Sequence, residues 1–565
     1  MFIKHENSKQ LDMFSSAGSV LSERALKKLN DENAWQNVFR KYCFDQIDEE
    51  IYKFMFCADN GRPNQSVKVM LGMMILKEAF GYTDERLFEA CDFNICLRQA
   101  IGLFNLNEDR PSDSTYYEFR AKIAKHLAET GEDLIEMTFN GVTSNQLETL
   151  DISGKKVRMD SKLLQSNIAK MNRLQLILES LRVVVRSREK QFDALYEVLN
   201  EEQLELITQL GEKSTSNITY GLKKEDKNKL LLELGIIIKA MVTLKIVTSE
   251  DILYKVYKQH YEEKQVDDED NGDNDEQIGL IASSEIPSNS IQSPHDEDAT
   301  YRVKGKEQNK KSVNGFHSNI TEICDEIGKP NLITHVETTG AHISEADYLQ
   351  EASQETQELL GADKKVDELI ADGGYDSIAN KLAFSAPDHP ELKLVKQKGS
   401  EKIYVMSWDV QGNLRVYNKK TKKVCEVRWS ENAQKYIIIE PNKSPRYMTP
   451  DQVNAYIESQ KIEASITKKD QGLRANTEST IHQVFCKLGE SAKIRYRGLI
   501  KSHWFVLTRS MAVNIARIKA NFDKLAKIDA LLPLNLLSRL RRAHNGNIEI
   551  LKQQFIFKKI QISYI

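Results

Sequence analysis

Glu368-Leu-Ile-Ala-Asp372-Gly-Gly-Tyr-Asp-Ser377 is a short apolar run that ends on an acid and breaks at two glycines. Such a run, closed by turn residues, reads as a buried strand, and the glycines let the backbone turn away and leave the Asp372 carboxylate exposed. A second acid has the same setting. Leu147-Glu-Thr-Leu-Asp-Ile-Ser-Gly-Lys-Lys-Val-Arg-Met-Asp160 holds a Ser153-Gly154 turn signal between two alternating runs, and reads as a hairpin or strand pair ending at Asp160, with a new helix after Ser161 and Lys162. Glu478 lies early in the helical stretch Gly472-Leu-Arg-Ala-Asn-Thr-Glu-Ser-Thr-Ile-His-Gln-Val-Phe485. Two strand-end aspartates and one helix glutamate can converge at the edge of a mixed sheet. Three hard oxygen donors suit Mg2+ or Mn2+. A pair of such ions about 3.5–4 Å apart can activate a nucleophile and stabilise a leaving oxygen in phosphodiester displacement. Glu490 competes as third acid, but Arg474 four residues before Glu478 shares its helix face and favours Glu478.

Working outward, composition divides the chain. Residues 1–146 read as helical: Val67-Lys-Val-Met-Leu-Gly-Met-Met-Ile-Leu-Lys77 fits a mostly buried helix, Thr83 is placed to cap the next one, and Thr115 and Glu118 have capping-box spacing. Arg98, Arg110, Arg120 and Lys122 near the helix ends suit a DNA-binding or dimerisation module as well as an ordinary helical domain. Residues 147–161 hold the first strands. Residues 162–262 form a helical insertion, with Leu174, Ile177, Leu178, Leu181 and Val185, then Phe192, Leu195, Tyr196 and Leu199, at core-facing spacing. Residues 263–298 read as an acidic flexible linker, since 262–277 carry nine acids and one lysine. Strands return over 299–384, and 385–470 read as an antiparallel β insertion. Residues 471–530 carry the third acid and the end of the core, and 531–565 form a basic tail.

The whole chain has 565 residues, 79 Lys+Arg and 83 Asp+Glu, for a net charge of −4. Its 40% hydrophobic content excludes a disordered chain, and its length exceeds what one core supports. Seven scattered cysteines without Cys-x-x-Cys spacing predict reduced thiols and no cysteine zinc site. No signal peptide or bilayer-length apolar run is evident, so a cytoplasmic protein is expected. The net charge is an average of opposites. Arg474 to Lys559 hold 17 basic and five acidic residues, the footprint of a polyphosphate partner.

Val157-Arg-Met-Asp-Ser-Lys-Leu-Leu-Gln-Ser-Asn-Ile168 resembles the first-acid motif of bacterial insertion-sequence transposases of the DDE superfamily. Ser293-Pro-His-Asp-Glu-Asp-Ala299 resembles the family's segment before the second strand, and 369–377 its second-acid motif. Arg474-Ala-Asn-Thr-Glu478, Arg495-Tyr-Arg-Gly498 and Ala512-Val-Asn-Ile-Ala-Arg-Ile518 resemble the third-acid helix and its continuation. Residues 63–123 are similar to the helical domain that precedes these cores. The resemblance implies an α/β fold: an RNase H-like core with a mixed central sheet, interrupted by a helical and a β insertion, behind an all-α N-terminal domain. It assigns Asp160, Asp372 and Glu478 as catalytic metal ligands for Mg2+ or Mn2+, two ions per site. It implies cleavage at transposon ends, strand transfer by the 3′-hydroxyl into target DNA, inverted-repeat end DNA as partner, and a homodimeric synaptic complex acting at the bacterial nucleoid. Two positions depart from the pattern: Gln471 stands where relatives carry Tyr, and Phe485 where they carry Lys, with Lys487 two residues later.

Remaining candidates are assigned by context. Arg474, Lys487, Arg495, Arg497, Lys501 and Arg509 are expected to contact DNA. Trp408 and Trp429 either pack in the β insertion or stack on an extruded base. Asp376 reads as a turn acid, Asp296 and Asp298 as shaping the entry to the second strand, and His295, His317 and His335 as structural. Two other readings stay open: a non-catalytic DNA-binding derivative of a transposase, and a helical protein-interaction scaffold.

Overall fold

A computed structural model describes residues 2–5, 16–57, 63–188, 191–267, 274–305, 310–396, 404–488 and 492–530. The expected basic tail 531–565 and Glu490 lie outside the described residues. The N-terminal half begins with helices that include Trp35–Tyr42, Val67–Phe80, Asp84–Phe93, Asp113–Thr130 and Leu134–Thr149. Thr83 caps Asp84–Phe93 as predicted, accepting from the Arg86 N–H at 3.2 Å. Ser112, not Thr115, caps Asp113–Thr130, because the extended Ser112 offers its Oγ to the Thr115 N–H at 3.3 Å. These helices share one core with the central sheet and with the long helix Leu499–Ala530.

The expected hairpin at 147–160 is replaced by helix, turn and strand. Helix Leu134–Thr149 continues through its first half, and the chain then turns at Asp151 and Gly154, both at positive φ. Glu326 accepts from the Ser153 and Gly154 N–H groups at 2.9 and 2.6 Å and fixes that turn. A single strand β1 (Lys156–Gln165) follows, so Asp160 lies inside it and the next helix begins only at Arg173.

The helical insertion has its own core, in which the predicted Leu174, Ile177, Leu178, Leu181, Val185, Phe192, Leu195 and Leu199 are buried. Tyr196 is a correction: it is 67% exposed, on a short 3-10 turn whose period swings it out of the stripe. The acidic stretch is also corrected in part. Its flanks pair as an antiparallel hairpin, β2 (Tyr261–Asp267) with β3 (Asn274–Leu280), while 268–273 lie outside the described residues. Tyr261 and Ile278 close on Gly235 of helix Lys224–Thr243, where a Cβ would stand 2.6 and 2.9 Å from them. That apolar anchor and the backbone ladder hold what charge alone would keep loose.

β4 (Thr300–Lys304) and β6 (Ile333–Gly340) tile one edge of the long β5 (Lys311–Ile323), and β1 takes its other edge, antiparallel from Val157 opposite Ile323 to Gln165 opposite Gly315. Only glycine fits at 315, since a Cβ there would fall 2.2 Å from the Leu164 carbonyl oxygen. β7 (Glu368–Asp372) pairs parallel with β1, but only over Lys156–Arg158. β8 (Glu391–Val395) pairs parallel with β7 and belongs to this sheet, so the antiparallel insertion starts after it, not at 385. β9 (Tyr404–Trp408), β10 (Leu414–Asn418), β11 (Lys423–Ser430), β12 (Lys435–Ile439) and β13 (Arg446–Met448) form that second sheet in sequence order, packed on helix Pro450–Ser465. Among the described residues no helix is long and apolar enough to cross a membrane.

β6 packs on helices Leu134–Thr149, Leu349–Leu360 and Leu499–Ala530. At this seam the Glu337 carboxyl is pushed up to about 8, by burial first and then by Glu351, Glu355, Glu136 and Asp347. His335 and His503 also face the seam and stay neutral through burial. The native chain therefore keeps a proton on Glu337 that the unfolded chain, with the ordinary value of 4.5, releases. The stabilisation is complete below 4.5 and is lost as pH rises through about 8. Melting temperature measured in EDTA is expected to fall between pH 5 and pH 8.5, and Glu337→Gln to flatten that fall; an unchanged slope would refute the assignment.

Candidate active site

β1 and β7 separate beyond Arg158, and β7 ends at Asp372. The open crevice past the carboxyl ends of parallel strands is where α/β sheets place their chemistry. Asp160 and Asp372 both occupy it. Burial raises the Asp160 carboxyl to about 6; the Ser161 N–H, donating at 2.8 Å, and Arg474 oppose this, while Asp372 and Glu345 add to it. Asp372 Oδ1 accepts from the Gly374 N–H at 2.6 Å.

The third acid arrives on helix Lys468–Phe485, which starts at a Thr467–Asp470 capping box. Its Arg474 donates to Glu478 Oε1 at 2.9 Å and stands 3.4 Å from Asp372 Oδ2. An exposed pair of this spacing alone is worth about 0.3–0.5 kcal/mol, but here the guanidinium also joins the second acid to the third. Asp372 and Glu478 both face Arg474, which takes the central place among the acids, and their oxygens would have to turn from it to face a cation. All donors present are hard carboxylate oxygens, and among the described residues no lysine or arginine forms an ion pair with Asp160. That donor set fits Mg2+ or Mn2+.

Glu345 completes the arrangement and carries no signal in the sequence. It sits on the short 3-10 turn Glu345–Tyr348, is 7% exposed, and accepts from Ser161 Oγ at 3.1 Å and Lys304 Nζ at 2.8 Å. Gly374 exists to admit it: a Cβ there would lie 1.8 Å from Glu345 Oε2 and 2.9 Å from Asp372 Oδ1. The second glycine of the pair thus serves a carboxylate contact as well as a turn. Tyr375 is buried beneath the acids and donates to Asn319 Oδ1 at 2.6 Å.

The basic candidates divide. Arg509 is corrected: it is buried and donates to the carbonyls of Glu78, Ala79, Gln483 and Val484, which end helices Val67–Phe80 and Lys468–Phe485. A cation satisfies orphan carbonyls at two helix C-termini and leaves nothing for DNA. Arg495 is drawn the same way, to the Gly81 and Tyr82 carbonyls and to Glu78. Arg497 keeps an exposed side chain while its Nε donates to the Asn167 carbonyl at 2.9 Å, and Lys501 is exposed. The Lys487 side chain lies outside the described residues. Phe485, at the position expected to be basic, is buried in the core.

Trp408 donates to Asn454 Oδ1 at 2.8 Å and meets Tyr436 edge-on, while Trp429 leans on the same tyrosine and is 37% exposed. Asp376 pairs with Lys381 and Lys396. Asp296 is buried and accepts from Ser166, and Asp298 accepts from the Leu499 N–H at 2.9 Å. His295 stands 3.2 Å from Glu179, and His317 and His335 are buried. No curated protein and no solved structure matches the chain to a significant degree. Residues 23–122, the helices from Glu23 into Asp113–Thr130, match the sequence model of a family described as a transposase domain (DUF772), so over this span the chain is similar to transposases.

Proposed function

We infer that the chain is a DDE transposase that cleaves phosphodiester bonds at the ends of a mobile element and joins the freed 3′-hydroxyl to target DNA. The observation that carries this reading is the meeting of Asp160, Asp372 and, through Arg474, Glu478 where β1 and β7 part. Two further observations support it: the strand order β6-β5-β1-β7-β8 with β5 antiparallel to β1 and β1, β7 and β8 parallel, as an RNase H-like core requires, and the transposase-domain match before it. Asp160, Asp372 and Glu478 would hold Mg2+ or Mn2+, two ions in the full site. When bound, such ions supply positive charge that activates the attacking oxygen and steadies the leaving one.

The chain's own residues have defined tasks in this reading. Asp160 must release its proton to serve as a ligand. Ser161 and Gly374 hold the first two acids through backbone N–H groups. Glu345, braced by Lys304, presents a further carboxylate to Ser161. Arg474, released from its carboxylates, is placed to take a DNA phosphate bidentately. Inverted-repeat end DNA, target DNA and a second copy of the chain are the partners, and the cytoplasm is the compartment.

The test starts from the DNA flanking the gene. Inverted repeats found there are cloned into a supercoiled plasmid and incubated with the full chain. Nicking at the repeat ends is expected with Mg2+ or Mn2+ and none in excess EDTA. Specific binding of the repeats without nicking under either metal would point to a non-catalytic derivative.

A further inference from the structure

A second constellation of ligating side chains lies at the seam between helices Leu134–Thr149 and Leu499–Ala530, away from the acids described above. Asp133 caps the first helix, Glu136 stands three residues on along its first turn, and His503 comes from the second helix. One ligand atom from each lies within 4.8 Å of the others, and His503 Nε2 is 4.0 Å from Glu136 Oε2. Asp133 is already oriented: its carboxylate accepts from the Ile135 and Glu136 N–H groups at 2.9 and 3.2 Å, and from the Trp504 indole at 2.8 Å. Partners of this kind commonly fix metal-binding carboxylates.

Two observations point to a ligand at this seam. Carboxyl groups crowd the seam: Glu136 feels Glu355, Asp133 and Glu351, and among the described residues no lysine or arginine forms an ion pair with Asp133, Glu136, Glu337, Glu351 or Glu355, whose near neighbours are the imidazoles of His335 and His503. Buried donors are also unspent. His335 is 3% exposed and close enough to His503 for their charges to interact; its Nε2 stands 3.4 Å from Glu355 Oε2, but its Nδ1 has no hydrogen-bond partner, and the Nδ1 of His503 has none either. Unpartnered buried polar atoms are uncommon and call for a cause.

We propose that Asp133, Glu136 and His503 bind a divalent transition-metal cation of the Zn2+ class, which staples the last N-terminal helix to the long C-terminal one against β6. An imidazole with two carboxylates suits Zn2+ and disfavours Mg2+, which prefers an all-oxygen shell. Bonds of about 2.0–2.2 Å draw Glu136 inward on its flexible stem while its neighbours keep Asp133 in place. The site stands apart from the proposed catalytic centre.

Full-length protein stripped with EDTA is dialysed against Zn2+, and its metal content and melting temperature are measured beside Glu136→Gln and His503→Asn. Wild type should hold one more Zn2+ per chain than either variant. It should gain about 5 °C with Zn2+ in large excess over Kd, a rise that the variants lack and Mg2+ does not reproduce. Equal zinc content in wild type and both variants overturns the proposal. If the variants do not fold, the Asp160→Asn/Asp372→Asn protein decides: a Zn2+-dependent rise that persists there supports the seam site, and one that vanishes overturns it.

Discussion

Glu322→Gln is expected to destabilise the chain by about 3–5 kcal/mol, the cost of breaking a buried ion pair by removing one partner. Glu322 is fully buried on β5 and is the hub of a network. It accepts from Arg158 Nε at 2.6 Å, from Thr480 Oγ1 at 2.7 Å, and from Arg517 Nη1. Arg158 also donates to the Leu473 carbonyl at 2.8 Å, and Arg517 to the Asn331 carbonyl at 3.1 Å. Glutamine keeps the shape but leaves the buried guanidinium of Arg158 and the half-buried one of Arg517 without an anion between them. Urea unfolding of the variant beside wild type measures the loss, and a difference under 1 kcal/mol would sink this account. The consequence reaches the candidate site. Arg158 shares a strand face with Asp160, and Thr480 is on the helix of Glu478. Glu322 therefore ties the strand of the first acid to the helix of the third, and a milder change there, Thr480→Val, should lower activity more than stability.

Asp372 was legible as a strand-end acid because a local pattern carries it: apolar residues, then an acid, then residues that turn. What lay beyond local pattern was not legible. β1 continues five residues past Asp160 because β5, some 150 residues downstream, pairs with it to Gln165, and strand propensity yields to such partners. Residues 263–298 read as linker by charge, yet 263–267 and 274–280 pair in a hairpin that Tyr261 and Ile278 anchor on Gly235. Arg509 counts as one more basic residue in a basic segment, and only the folded chain reveals the two helix ends that consume its donors. Glu345 has neither an apolar run before it nor glycines after it. Its place beside Ser161 follows from β1 and β7 diverging, which no stretch of sequence around it records.

Asp160→Asn and Asp372→Asn are expected to cut end-specific nicking by at least about 100-fold, since even residues that merely support metal ligands cost about 10–100-fold when changed. Glu478→Gln should match them, and Glu490→Gln should stay near wild type; the reverse order would move the third acid to Glu490. Glu345→Gln belongs with the supporting residues, with a loss of about 10–100-fold. Stability separates a lost ligand from a lost fold. The Asp160 carboxyl is raised from 3.8 to about 6, chiefly by burial, with Asp372 contributing. Its stabilising proton is fully held below 3.8 and lost as pH rises through about 6, so at pH 7.5 the ionised group opposes folding. Asparagine removes that opposition. Asp160→Asn should therefore melt no lower than wild type at pH 7.5 in EDTA while nicking collapses. On the proposed reading the same proton would compete with the metal: wild-type nicking at low Mg2+ should fall as pH drops below about 6, and higher Mg2+ should restore it. A variant that lost activity and melting temperature together would mark Asp160 as a packing residue, because a carboxylate kept for its ligand oxygens is held against the interest of the fold.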